Sequence, residues 1–122
     1  MEQIKRRRLS SKERKQIYDM FNGRCAYCGT AVTFRGMQVD HKKPLYAGGS
    51  DDIENMFPAC RSCNHYKSTQ DIEKFRTYLQ SIPARLMRDN IAYQVGARFG
   101  IVEAKEEPVE FYFEKVDGKN EK

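Results

Sequence analysis

Residues 39–67 read VDHKKPLYAGGSDDIENMFPACRSCNHYK. An aspartate adjoins a histidine, a Gly-Gly pair follows, and a Cys-x2-Cys pair leads into Asn64 and His65. Such a gathering can hold a structural metal, perform chemistry, or do both.

The cysteines decide the first part. They fall as Cys25-x2-Cys28 and Cys60-x2-Cys63, with 31 residues between the pairs. Two thiolates spaced this way can sit on one side of a tight knuckle, about 2.3 Å from a zinc ion. Two knuckles complete a tetrahedron with no open position, so the ion is expected to be structural Zn²⁺ on Cys25, Cys28, Cys60 and Cys63. A redox Cys-x-x-Cys belongs beside a βαβ pattern, which this sequence lacks. Four cysteines serving only as small buried hydrophobes would not need the paired spacing. In a chain of 122 residues with 39% hydrophobic residues and no tryptophan, a metal staple supplements a modest core. The length suits one domain.

The net charge of +5 is unevenly spread. Residues 1–15 carry seven Lys/Arg against Glu2 and Glu13, and residues 103–122 have a net charge of −3. A basic arm at 1–9, including Arg6, Arg7 and Arg8, ahead of a mildly basic body suits a polyanion such as DNA. A solvated, flexible terminus is the plainer account of the same charges. No apolar run nears the roughly 18 residues that a membrane span needs. The N-terminus has charge without the apolar stretch of a secretory signal. A cytoplasmic, reducing setting is therefore expected, where disulfides are rare.

Periodicity supplies the frame. Ser10 and Glu13 form a capping box ahead of a helix whose Ile17, Met20 and Phe21 share a face, with Gly23 as its stop. Residues 30–46 read as two β-rich stretches about a turn at Arg35-Gly36, and Pro44 ends the second. Residues 47–59 read as a loop with one helical turn after Ser50. A helix can start at Cys60. Another carries Ile72, Phe75, Tyr78, Leu79 and Ile82 on one stripe, breaks at Pro83 and resumes through 84–100. The alternation in 109–116 predicts a late strand.

The histidines number two, His41 and His65. With four cysteines saturating the zinc, His41 is free for other work. A neutral imidazole can take a proton from water. Asp40 offers a hard oxygen suited to Mg²⁺ or a similar ion. A metal beside a general base on a basic protein suggests phosphodiester hydrolysis. Adjacent strand residues point to opposite faces, so both can serve one site only at a strand end, facing the helix that begins near Cys60.

Taken in order, Cys25-x2-Cys28, Val39-Asp40-His41, Gly48-Gly49-Ser50-x-Asp52-x-x-Asn55 and Cys60-x2-Cys63-Asn64-x-x-Lys67 resemble the HNH endonucleases. The resemblance implies an α+β fold. It would be a zinc-stapled ββα-metal core at 25–67 inside a nuclease domain at 10–102, with flanking helices. An acidic tail at 103–122 would carry a C-terminal strand near 109–116. By position His41 resembles the family's general base, and Asp40 its metal-binding neighbour. Asn55 resembles the residue that braces the loop and so orients His41. Asn64 stands where many members carry a histidine and implies a second ligand to a catalytic Mg²⁺ or Mn²⁺. His65 follows directly as a further candidate ligand or substrate contact. The family implies 5′-phosphate and 3′-hydroxyl products.

Candidate DNA contacts are Arg6, Arg7, Arg8, Lys42, Lys43, Arg61, His65 and Lys67. They would position the protein on phosphates without reading bases, which implies low intrinsic sequence specificity. Two other readings keep part of the pattern. A zinc-stabilised DNA-binding module needs the cysteines and the arm, but not Asp40-His41 with Asn55 and Asn64. An interaction module would dock through the late strand. A homodimer or a larger nuclease or packaging complex is a candidate assembly, and a phage or mobile element a candidate source.

Overall fold

The computed structural model describes residues 8–120. Arg6 and Arg7, with most of the basic arm, lie outside the described residues. Packing divides the chain into two compact units, residues 1–72 with 110–122, and residues 73–109. Among the described residues no helix is long and apolar enough to cross a membrane.

The first unit begins with α1 (Ser11–Asp19). Its capping box forms as the sequence predicts: Ser10 Oγ accepts from Glu13 N at 3.1 Å, and Glu13 Oε1 accepts from Ser10 N at 3.0 Å. Ile17 is fully buried and packs with Met37, Val39 and Met56. Gly23 closes this region at φ +79°, the left-handed conformation that a helix exit favours.

The chain turns at 34–36 as expected, but the two β-rich stretches do not pair there. The first is held by the cysteine knuckle instead, through Cys25 N to Thr30 O at 2.8 Å and Val32 N to Gly23 O at 2.8 Å. Only β1 (Gln38–His41) remains a strand, and its antiparallel partner is β2 (Met56–Ala59), within the stretch expected to be loop. The register sets Asp40 opposite Phe57 and His41 opposite Met56. Pro58 cannot donate to a ladder, which suits a strand at a sheet edge. Its carbonyl takes the N–H of Ala26 at 2.9 Å and so ties the sheet to the knuckle. Short helical turns at Leu45–Ala47 and Ile53–Asn55 shape the loop between the strands. Then α2 (Arg61–Lys67) packs on β1, while α1 packs on β2. Two antiparallel strands followed by a helix across them form the ββα core.

The expected strand at 109–116 is a correction: α6 (Tyr112–Asn120) occupies most of that span. Two effects override the alternation. Glu114 Oε1 accepts from Phe111 N at 2.8 Å, as the third residue of a capped helix does. Tyr112 N and Phe113 N donate to Tyr27 O and Ala26 O, at 2.9 and 2.8 Å. Phe111 and Phe113 then meet Tyr27 at ring separations of 5.5 and 6.2 Å. The apolar side chains are thus buried by a docked helix start.

The second unit holds the rest of α3 (Ile72–Gln80), then α4 (Ile82–Asp89) and α5 (Ile91–Arg98). Pro83 lies in the first turn of α4, where its missing N–H costs nothing. The continuous helix expected from 84 to 100 divides at Asn90, whose side chain accepts from Tyr93 N at 2.9 Å and caps α5.

Phe111 is 2% exposed, so Phe111→Ala is expected to destabilise the first unit by about 3–5 kcal/mol, the range for a buried aromatic truncated to a methyl. Chemical denaturation followed by circular dichroism would measure it. A loss below roughly 1 kcal/mol, typical of surface substitutions, would show that α6 is not docked as described.

Candidate metal centre and active site

The four cysteines converge. Their sulfurs all lie within 4.8 Å of one another, and none is in a disulfide. Cys28 Sγ and Cys60 Sγ are 3.8 Å apart. Four sulfurs at about 2.3 Å from one ion are separated by about 3.8 Å, so this spacing matches a tetrahedral edge. Backbone N–H groups already face two of them: Tyr27 N to Cys25 Sγ and Cys63 N to Cys60 Sγ, both 3.4 Å. A hydrogen bond from the Cys63 thiol draws the Cys25 thiol down to about 4, and the same bond pushes Cys63 up. Burial raises Cys28. These four residues can hold a metal ion.

Asp40 and His41 diverge from adjacent positions at the end of β1. Asp40 is 5% exposed. Its Oδ2 accepts from the Tyr27 hydroxyl at 2.5 Å and from Lys67 Nζ at 2.9 Å. Burial first, and the Asp40 carboxylate second, push the Tyr27 phenol up, so it stays protonated and donates. Asp40 Oδ1 makes no hydrogen bond to any described residue. Lys67 is fully buried, and its ammonium also donates to the His41 carbonyl at 2.9 Å. That corrects its placement among the DNA contacts: a side chain with no exposed surface cannot touch a phosphate backbone.

His41 turns to the loop. Its Nε2 lies 2.7 Å from Asp51 Oδ1. The loop itself is laced by Asn55. Asn55 Nδ2 donates to Lys43 O at 2.9 Å and Ser50 O at 2.7 Å, while its Oδ1 accepts from Lys43 N at 3.0 Å. Gly49 permits the fold-back, since a Cβ there would lie 1.9 Å from the Lys43 carbonyl oxygen. The Gly-Gly pair is a turn, with Gly48 at φ +94°.

Asn64 is half-buried on α2, three residues before Lys67. Residues three apart share a helix face, so Asn64 stands on the side of α2 that Lys67 turns toward Asp40. Its side chain makes no hydrogen bond to any described residue. His65 and Arg61 are exposed, as are Lys43 and Arg8. Lys42 is half-buried with its ammonium 4.3 Å above the Phe57 ring, and burial lowers its pKa.

The sequence reading missed Asp51 and Tyr27 and misjudged Lys67. Asp51 lies in a run of polar loop residues, and nothing in its spacing points at His41. For Lys67 a signal exists: it follows Asn64 by one helical turn, which puts it on the core-facing side of α2.

The chain is similar to several known proteins. Residues 25–70 match the HNH endonuclease family. Over 71 residues the chain is 32% identical to YoqL, an SPbeta prophage-derived protein of Bacillus subtilis (strain 168) assigned by name to the HNH endonucleases. That match covers 52% of this chain and 31% of YoqL. Over 55 residues it is 38% identical to the CRISPR-associated endonuclease Cas9 of Corynebacterium diphtheriae (strain ATCC 700971 / NCTC 13129 / Biotype gravis), covering 44% of this chain and 5% of that protein. The fold is similar to the crystal structure of the Type II-C Cas9 enzyme from Actinomyces naeslundii, with TM-score 0.51 and 19% identity. That likeness covers 79% of this chain and 13% of the other. The chain thus spans less than a third of each of these proteins.

Lys67→Met leaves Asp40 buried beside a single hydroxyl donor. A loss of about 3–5 kcal/mol is expected, as when one member of a buried pair is removed. Adding Asp40→Asn should recover part of it, because the uncompensated charge is then gone. Urea unfolding of the single and double variants tests this, and additive losses would show that the pair is not coupled.

Proposed function

We propose that this chain, in which residues 25–70 form an HNH endonuclease domain, is a metal-dependent DNA endonuclease with His41 as its general base. One observation carries the reading. The end of β1 delivers a carboxylate to Lys67 of α2, one helical turn from Asn64, and an imidazole to Asp51 of the neighbouring loop.

The donor set fits two ions of different character. Four sulfurs at tetrahedral spacing suit Zn²⁺ in a closed, structural site. Asp40 Oδ1 and the Asn64 amide oxygen are hard donors, neither bonded to a described residue, and suit Mg²⁺ or Mn²⁺. Such an ion, when bound, supplies Lewis-acid stabilisation of charge on the scissile phosphate. The chain's own residues do the rest. Tyr27 and Lys67 hold Asp40 by its other oxygen, so the free oxygen keeps one orientation. Lys67 also fixes the His41 backbone through its carbonyl. Asn55 holds the loop beside the imidazole. His41 takes a proton from the attacking water. Arg61, His65, Lys43 and Arg8 are exposed and available to phosphates, with Lys42 partly so. Arg6 and Arg7 extend the same basic set.

Phosphate contacts of this kind position without reading sequence, so low intrinsic specificity follows. The relatives' names point to a prophage and to a much larger endonuclease, which keeps action within a phage-encoded or larger assembly in view. Nicking and double-strand cleavage both remain compatible with one such site. A zinc-stabilised DNA-binding module without catalysis is the competing account.

Cleavage of supercoiled plasmid with Mg²⁺ or Mn²⁺ separates the two. Wild type is expected to nick or linearise it, and His41→Ala to lower the rate by about 10²–10⁴-fold with the fold intact. Equal rates would remove His41 from catalysis, and binding without any cutting would favour the module. Elemental analysis is expected to find one zinc per chain, lost in Cys63→Ser together with cooperative unfolding. A folded, zinc-free wild type would refute the staple.

A further inference from the structure

We propose that Asp51 is a positioning residue for His41: its carboxylate accepts the Nε2–H, fixes that tautomer and leaves the Nδ1 lone pair to take the proton. The inference rests on the reading of His41 as general base. Its geometry stands without that reading.

Asp51 Oδ1 lies 2.7 Å from His41 Nε2, in a pair where the imidazole is 9% and the carboxylate 20% exposed. Neither partner is loosely held. The His41 backbone pairs with Met56 in the sheet, and its carbonyl takes the Lys67 ammonium. Asp51 follows Ser50, whose carbonyl takes Asn55 Nδ2 at 2.7 Å, and precedes Asp52, whose carbonyl takes Asn55 N at 2.9 Å. The Gly48-Gly49 turn folds the loop back, with Gly49 N on Pro44 O at 2.9 Å. The loop therefore works as a strap that presents one carboxylate to one ring nitrogen.

The chemistry follows from the donor inventory. An ionised carboxylate only accepts hydrogen bonds, so the shared hydrogen resides on Nε2. In a neutral ring Nδ1 is then the acceptor, and it makes no hydrogen bond to any described residue. In the hydrolytic step a proton passes from the attacking water to Nδ1, the water oxygen bonds to phosphorus, and the P–O3′ bond breaks, with the departing 3′ oxygen taking a proton from solvent. The Nε2–H stays donated to Asp51 through this step. Asp51 thus orients the base without touching substrate.

The chain's two histidines make the tautomer readable by long-range ¹H–¹⁵N spectroscopy with the rings neutral, and His65→Gln assigns the signals. His41 is expected as the Nε2–H form in wild type and as a mixture in Asp51→Ala. A wild-type ring protonated on Nδ1, or identical spectra for both proteins, would overturn the proposal. In single-turnover plasmid cleavage, Asp51→Ala is expected to lower the rate about 10²-fold, within the range of a disabled general base, at an unchanged half-saturating DNA concentration. In a His41→Ala background it should cost nothing further, because the two act as a unit. An equal further loss there would give Asp51 a different role. The spectra need no cleavage. A wild type that binds but never cuts DNA would therefore sink the nuclease reading, while the tautomer still judges Asp51.

Discussion

A lysine ammonium taken wholly out of water must find anions and dipoles, or it destabilises the fold by several kcal/mol. Lys67 finds both: the Asp40 carboxylate and the His41 carbonyl, each at 2.9 Å. These partners come from consecutive residues of β1, so one buried group sets the distance between strand and helix. Asp40 in turn takes the Tyr27 hydroxyl, from between the first two cysteines. Knuckle, strand and helix therefore meet at a single carboxylate oxygen. The sulfur cluster closes the same circuit from the other side, since Cys60 caps α2 and Cys63 lies in its first turn.

Much of this was legible in the residues. The capping box at Ser10 and Glu13 declares α1, because it depends on side chains three positions apart. The paired cysteines declare their convergence, because few arrangements other than a shared ion need that spacing. Asp40-His41 declares a strand end by its chemistry. What stayed hidden depends on tertiary contact. β2 is four residues long and contains Pro58, so no alternation marks it. It is a strand because β1 lies beside it and the knuckle takes its carbonyl. The residues near 109–116 alternate like a strand, yet the end of that stretch is helical because Glu114 caps Phe111 and the Tyr27 and Ala26 carbonyls receive the first turn.

The site shows the same division. Residue types marked the candidate ligands, while the contacts that hold them came only with the fold. Asp51 is silent in the sequence because any loop aspartate reads as solvated. Its meaning depends on a fold-back that Gly49 allows and Asn55 holds. Lys67 was misread because a lysine close to a proposed phosphate site invites an electrostatic explanation. Burial argues otherwise, and the ammonium serves as an internal tie. Arg61, Lys43 and Arg8, by contrast, are exposed.

The seven residues of α2 behave as a short spindle pinned at both ends, by thiols at its first turn and by an ammonium at its last. Each residue of an α-helix advances the facing direction by about 100°. Insertion or deletion of a single residue between Cys63 and Lys67 would therefore swing one pin out of its socket whichever end stayed seated. The four-position offset between sulfur and ammonium is a phase constraint on the helix.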